Sequence, residues 1–116
     1  MKDIKSYIQY KGEQIPMVFN LNVMEQIQEE YGSIRKWGKM VDGSDGEPNV
    51  KHLKRGLMFM FNEGIDIENE DKEQKRAFLT DKQVGRIITE IGIEEAIKKM
   101  VDLQAQSTEV EESKNM

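Results

Sequence analysis

The chain has 116 residues, a formal net charge of −5 at neutral pH, 34% charged residues and no cysteine. This length suits one domain with a modest core, and the lack of cysteine excludes disulfides, thiolate nucleophiles and zinc–thiolate sites. No apolar run approaches the roughly 20 residues that span a bilayer, and the first residues contain no apolar stretch of signal-peptide length. We therefore expect a cytoplasmic protein without a membrane segment.

The N-terminal residues 3–19 predict a β-hairpin. Apolar and polar side chains alternate over residues 4–10 and again over residues 15–19, as on strands with one buried face. Gly12 supplies the turn, because glycine readily adopts a positive φ. Pro16 has no N–H to donate to a ladder, so the second strand is expected at a sheet edge.

The next two helices are predicted from their cap residues. Asn20 or Asn22 can accept a backbone hydrogen bond at the start of the first helix, and Gly32 can end it. Ser33 can cap a short second helix, whose apolar residues recur at helical spacing. Residues 42–48 are rich in Gly, Asp, Ser and Pro, and we interpret them as a surface loop.

The third helix is expected to begin at the cap Asn49. We predict that it ends at residues 62–64, where Gly64 can act as a stop signal. The following residues 65–76 are highly charged, so we expect them to be exposed.

The remaining elements are two amphipathic helices. Thr80 and Gln83 match a capping box at the start of one, and Gly92 separates it from the last. Taken together, the pattern predicts one α+β domain over residues 1–104, mostly helical, with an N-terminal hairpin and four to five helices. Residues 105–116 contain few apolar side chains and are predicted to form a flexible polar tail.

No arrangement of residues predicts catalysis, a cofactor or a metal. The single histidine, His52, lacks a recognisable partner for general-base or metal work, and we interpret it as a surface residue. An EF-hand counted from Asp66 needs glycine at its sixth place and a carboxylate at its twelfth, but these are Asp71 and Ala77. Glycine-rich phosphate-binding loops are also missing. We therefore predict a protein that is not an enzyme and needs no cofactor.

A small basic cluster, Lys51, Lys54 and Arg55, could contact phosphates. The loop before it is too long for a helix-turn-helix, and the chain is acidic overall. Residues 61–116 alone carry a net charge of −6. We expect no nucleic acid partner, and a small DNA-binding or regulatory protein remains an alternative interpretation.

Five bulky apolar residues follow one another at residues 57–61. A helix turns by about 100° per residue, so five consecutive side chains cannot all face one packing surface. Six internal methionines fit either a small helical core or an adaptable binding surface. One hypothesis is a groove, made by residues 58–61, that binds an apolar or amphipathic helix; the alternative is a core.

The order of the segments is also informative. Residues 15–34, IPMVFNLNVMEQIQEEYGSI, open a helix that ends in an acidic-Tyr-Gly stop. A middle helix follows at residues 51–64, KHLKRGLMFMFNEG, and residues 77–103 carry the last two helices before a polar tail. Over about residues 4–103 the chain resembles the tail assembly chaperones of long-tailed bacteriophages and prophages. The resemblance lies in patterns of apolar and acidic residues.

This resemblance implies a binding function without catalysis. Such chaperones bind the tape-measure protein, keep it soluble and help tail-tube subunits assemble around it, and many occur in two lengths through programmed frameshifting. We therefore expect the tape-measure protein, and secondarily the tail-tube protein, as partners in the cytoplasm of the bacterial host cell. A homo-oligomer is left open, and a structural connector that stays in the phage particle is a further alternative.

Apolar helices exposed before assembly would aggregate, and an adaptable groove can mask them. The residues that we expect to contact the partner are Trp37, Met40, Leu57, Met58, Phe59, Met60 and Phe61.

Overall fold

A computed structural model describes the backbone of residues 4–43 and 46–114 and the side chains of residues 5–43 and 46–107. The predicted α+β fold is confirmed, because one two-stranded antiparallel hairpin is followed by helices. Residue 3 of the predicted hairpin, residues 44–45 of the predicted loop and residues 115–116 of the predicted tail lie outside the described residues. The elements are β1 (Ile4–Tyr10), β2 (Glu13–Phe19), α1 (Leu21–Tyr31), α2 (Ile34–Asp42), α3 (Val50–Asn69), α4 (Asp81–Ile91) and α5 (Ile93–Lys114).

The hairpin closes through a two-residue turn. Lys11 and Gly12 have φ values of 49° and 77°, the positive values that a type I′ turn requires. Hydrogen-bonded and non-hydrogen-bonded pairs alternate from the closing pair Tyr10–Glu13, and Pro16 belongs to the fourth pair. Pro16 therefore occupies a non-hydrogen-bonded position, where its missing N–H removes no ladder bond.

The predicted helix caps are confirmed. Gln83 completes the capping box, since its side chain accepts from the backbone N–H of Thr80 at 2.8 Å. Gly32 and Gly92 follow α1 and α4 with φ values of 93° and 94°, so each glycine ends its helix in a conformation that other residues rarely adopt. The cap side chains that accept a backbone hydrogen bond are Asn20, Ser33, Asn49 and Thr80.

α3 is longer than predicted, because it continues to Asn69. The expected end at residues 62–64 is wrong, since Gly64 serves close packing rather than termination. A Cβ at Gly64 would lie 2.9 Å from the Cβ of Pro16 and 3.1 Å from its carbonyl oxygen. The prediction that residues 65–76 are exposed is also wrong at Ile65 and Asn69, which are buried within the helix.

The hydrophobic core is organised around α3. This helix contacts α1, α2, α4 and β2. Leu57, Met60 and Phe61 are fully buried on it. Trp37 of α2 lies so close to Gly56 that a Cβ there would overlap its ring. The close approach of these elements leaves one face of α3 without exposed surface.

α5 extends beyond the predicted domain boundary at residue 104 and remains helical to Lys114. Ser107 is buried, and its hydroxyl donates to the carbonyl oxygen of Phe19 at 3.1 Å. The domain therefore includes residues that the sequence pattern assigned to the tail, while the flexibility of the tail stays a prediction. None of the described helices combines the length and hydrophobicity that a membrane crossing needs.

Candidate partner-binding groove

Most of the predicted partner-binding residues lie in the core. A surface groove built from the whole run 57–61 is therefore wrong, because Leu57, Met60 and Phe61 are fully buried and cannot contact another protein while the chain stays folded. Met40 of α2 is 43% exposed, and Met58 is partly buried. Partner binding itself stays a prediction. The five buried members of the set are Trp37, Leu57, Phe59, Met60 and Phe61.

α3 has a second face, which points away from its fully buried side chains. Its residues recur at the i, i+3, i+4 and i+7 spacing of one helical face. Met58 and Phe59 belong to this face, whereas Leu57, Met60 and Phe61 belong to the core face. The five consecutive apolar residues are thus divided between two faces of the helix. The second face consists of Arg55, Met58, Phe59, Asn62, Glu63 and Asp66.

A groove runs between this second face of α3 and α1. Three cavities of about 300, 380 and 400 Å³ adjoin one another along it. The first two share Gln26, Arg55 and Phe59, and the second and third share Glu63 and Asp66. We call this continuous feature the α1–α3 groove. It is lined by the second face of α3 together with Asn20, Leu21, Asn22, Gln26, Glu29, Glu30, Ile67, Glu70 and Phe78.

Phe78 stands at the edge of the α1–α3 groove with 56% of its surface exposed. It lies in the connection between α3 and α4. Its neighbour Leu79 is held there by hydrogen bonds between its backbone and the Asn62 side chain. The Asn62 amide donates to the carbonyl oxygen of Leu79 at 3.1 Å and accepts from its N–H at 2.8 Å. An exposed aromatic ring on a fixed backbone suits a binding anchor, because less entropy is lost when a partner covers it.

A second asparagine holds the same connection. The Asn69 amide donates to the carbonyl oxygen of Arg76 and accepts from its N–H, both at 2.9 Å. The Arg76 side chain also donates to the carbonyl oxygen of Gln14 at 3.1 Å. Neither asparagine was assigned this role from the sequence. Their spacing of seven residues, which places them on one helical face, was the available signal.

The α1–α3 groove is acidic. Only one cation, Arg55, lies among its described lining residues, and it is already paired with Glu30. The Arg55 Nε donates to the Glu30 oxygens at 2.9 and 2.8 Å, and its Nη2 lies 2.8 Å from Oε1. This hydrogen bonding lowers the pKa of the Glu30 carboxyl and raises the pKa of Arg55. The carboxylates that line the groove are Glu29, Glu30, Glu63, Asp66 and Glu70.

Two contacts shape the walls of the groove. Glu63 accepts from the side-chain amides of Asn20 at 2.7 Å and Asn22 at 2.9 Å, which fixes this carboxylate at the start of α1. At the other end, the Arg55 guanidinium lies 4.8 Å from the centre of the Phe59 ring. Such a cation–π contact covers the ring while leaving the neighbouring Met58 partly accessible.

The basic cluster of α3 is largely engaged by acidic residues. Lys54 Nζ lies 2.8 Å from a carboxylate oxygen of Asp81, and Arg55 binds Glu30. A cation that already pairs with a carboxylate must give up that contact to bind a phosphate. This arrangement weakens the case for a DNA-binding surface at this cluster.

His52 differs from the isolated surface histidine that we predicted. Its side chain is partly buried, and its Nδ1 lies 2.9 Å from the Tyr31 hydroxyl. The two rings meet edge to face with their centres 5.2 Å apart. Burial is the main cause that raises the pKa of the Tyr31 hydroxyl. The sequence could not indicate this pair, because its members lie on different helices.

The acidic residues 66–71 lie at the end of α3 and just beyond it. Within the described part of the chain, no three or more His, Asp or Glu side chains are placed to hold a metal ion. Comparison of the chain with protein-family models, curated proteins and solved structures gives no match.

Proposed function

We propose that this chain is a phage or prophage tail assembly chaperone that binds the tape-measure protein through the α1–α3 groove. Binding keeps that partner soluble until tail-tube subunits assemble around it. One observation carries the proposal: Phe78 is exposed at the edge of a groove whose base contains Met58 and Phe59. The sequence resemblance over residues 4–103 supports the choice of partner.

The length of the groove suits a helical partner. Along α3 it extends from Arg55 to Glu70, which corresponds to about 22 Å at 1.5 Å per residue. That distance equals about four turns of a partner helix, enough for apolar anchors at i, i+3 or i+4 and i+7. Methionine can adapt its shape to different side chains, so Met58 favours recognition of several apolar segments along a long partner.

The proposed binding is also reversible, as tail assembly requires. The apolar contact is divided between an exposed ring, a partly buried methionine and a nearly covered ring at Phe59. No single pocket dominates among these three cavities, which are similar in volume and share lining residues. Tube subunits can therefore displace the chaperone from the partner one contact at a time.

Co-expression with the tape-measure protein tests the proposal. We expect the unaltered chain to keep the tape-measure protein in the soluble fraction after centrifugation. Phe78→Asp and Met58→Asp should each reduce that fraction strongly, because a carboxylate would have to be buried against an apolar helix. The matched control is Val101→Asp on α5, since Val101 is 50% exposed and does not line the groove.

Circular dichroism of each purified variant shows whether the fold is retained. A tape-measure protein that stays insoluble with the unaltered chain contradicts the proposed function. A folded Phe78→Asp variant with full activity, together with an inactive Val101→Asp variant, contradicts the placement of the binding surface.

A further inference from the structure

The charges along the α1–α3 groove bear on which helices it can accept. Acidic residues lie on both of its walls, with Glu29 on α1 and Asp66 on α3. Glu63, fixed by two asparagine amides, lies between the two larger cavities. A helix in the groove would therefore meet negative charge on either side of its apolar stripe.

The two ends of the groove differ in charge. At the end with Phe59, the Arg55–Glu30 ion pair is internally neutral. At the end with Leu21, which is 63% exposed, the cavity is lined by three carboxylates and no cation. The strongest attraction for a positive side chain is thus at the Leu21 end, beside an exposed apolar residue.

The same charges make other occupants unfavourable. A second copy of this chain would bring a net charge of −5 towards the acidic walls. Nucleic acid would bring its phosphates towards them, and an acidic helix would place like charges together at the cost of several kcal/mol.

We propose that the α1–α3 groove selects amphipathic helices whose apolar stripe is flanked by lysine or arginine. The inference rests on the proposed function, in that it assumes a helix as the occupant of the groove. The apolar stripe covers Phe78 and Met58, and the flanking cations pair with Glu29, Glu63 and Asp66. Charge thereby distinguishes true segments of the partner from other apolar helices in the cell.

Two labelled peptides of about 18 residues, or five helical turns, test this selection. Both carry the same leucine stripe, and their flanking positions hold lysine in one and glutamate in the other. Fluorescence anisotropy measures their affinities for the full chain. We expect the lysine peptide to bind about tenfold more tightly at about 50 mM salt, and the difference to shrink at about 300 mM as charges are screened.

A variant with less negative charge in the groove sharpens the test. Glu29 and Asp66 are exposed, so the double variant Glu29→Gln with Asp66→Asn should keep the fold. We expect it to bind the lysine peptide about fivefold more weakly and the glutamate peptide no more weakly. The matched control, Glu94→Gln with Glu95→Gln on α5, removes the same charge away from the groove and should leave both affinities unchanged.

The outcomes separate this inference from the proposed function. Equal affinities for both peptides, each lost in Phe78→Asp, overturn the selection by charge while leaving a helix-binding groove in place. A preference for the glutamate peptide also overturns the inference. So does lysine-peptide binding that Phe78→Asp does not weaken, and so does the absence of binding by either peptide. Failure of the proposed function appears separately, as insoluble tape-measure protein in the co-expression assay.

Discussion

The two faces of α3 both carry bulky apolar side chains, but different neighbours cover them. On the core face, Leu57, Met60 and Phe61 are enclosed by other helices and the hairpin. On the groove face, Phe59 is 8% exposed beneath the Arg55 guanidinium, and Met58 is partly buried. Consecutive apolar residues on one helix are thus divided between the core and the lining of a surface cavity.

Glycine accounts for much of the difference between the faces. Gly56 and Gly64 lie on the core face, where the Trp37 ring and the Pro16 backbone approach the helix directly. The groove face has no glycine among its described residues, and its side chains line the cavities beside α1. The result is a closed interface on one side of α3 and an open groove on the other.

The largest expected effect is a difference in unfolding free energy between two phenylalanine variants. Phe61→Ala removes a fully buried ring from the core and should lower the free energy of unfolding by about 4 kcal/mol. Phe78→Ala removes an exposed ring and should change it by no more than about 0.5 kcal/mol. Urea unfolding of both variants measures the difference. Similar losses in both variants would mean that the core and the edge of the groove contribute equally to stability.

The next prediction concerns the close contact at Gly56. Gly56→Ala would force the Trp37 ring out of its place and should cost about 3 kcal/mol, as overpacked cores do. Gly38→Ala is the matched control, because a Cβ there meets no atom within 4 Å. That control should stabilise α2 by about 0.5 kcal/mol. Thermal unfolding is the measurement, and a neutral Gly56→Ala would contradict the closed interface.

A smaller effect is expected at the connection that carries Phe78. Asn62→Ala removes both hydrogen bonds to Leu79 and should cost about 1.5 kcal/mol. Amide hydrogen exchange at Leu79 should accelerate, because its N–H loses its acceptor. Gln74→Ala, an exposed change in the same connection, should leave both quantities unaltered. Unchanged hydrogen exchange at Leu79 in the Asn62 variant would show that the Asn62 side chain does not hold the connection that carries Phe78.

The smallest effect concerns the ion pair at one end of the groove. The Glu30 side chain is 36% exposed, so Glu30→Gln should cost only about 0.5 kcal/mol at neutral pH. The pKa of Glu30 is lowered in the folded chain from its ordinary value of 4.5. Its stabilisation is therefore fully present above that value and is lost as the pH falls through the lowered pKa.

Unfolding free energies from pH 7 down to pH 3 measure this contribution. The unaltered chain and the Glu30→Gln variant should converge as the acid end is approached. Stabilities that diverge towards low pH would contradict the assigned direction of the pKa shift.

Features with local signals were predictable from the sequence. The turn at Gly12, the caps Asn20, Asn49 and Thr80, and the stop at Gly92 all depend on a few neighbouring residues. Their physical cause lies within one turn of the chain, so the sequence shows it directly.

Features that depend on distant residues were not predictable. Gly64 resembles a helix stop in sequence, but the approach of Pro16, 48 positions earlier, makes it a packing glycine. Asn62 is an ordinary polar residue until Leu79 lies against it. For the same reason the groove was predicted only in part. The run 57–61 indicated an apolar surface, but the fold determined that Met58 and Phe59 are the members that line the groove.

Binding in the α1–α3 groove can be tested by an amide shift map of the ¹⁵N-labelled chain titrated with the lysine-flanked peptide. We expect the largest shifts at Gln26, Met58, Asp66 and Phe78, with small shifts in the hairpin and in α5. Largest shifts on α5 or on the hairpin, with the α1–α3 groove unaffected, would contradict it.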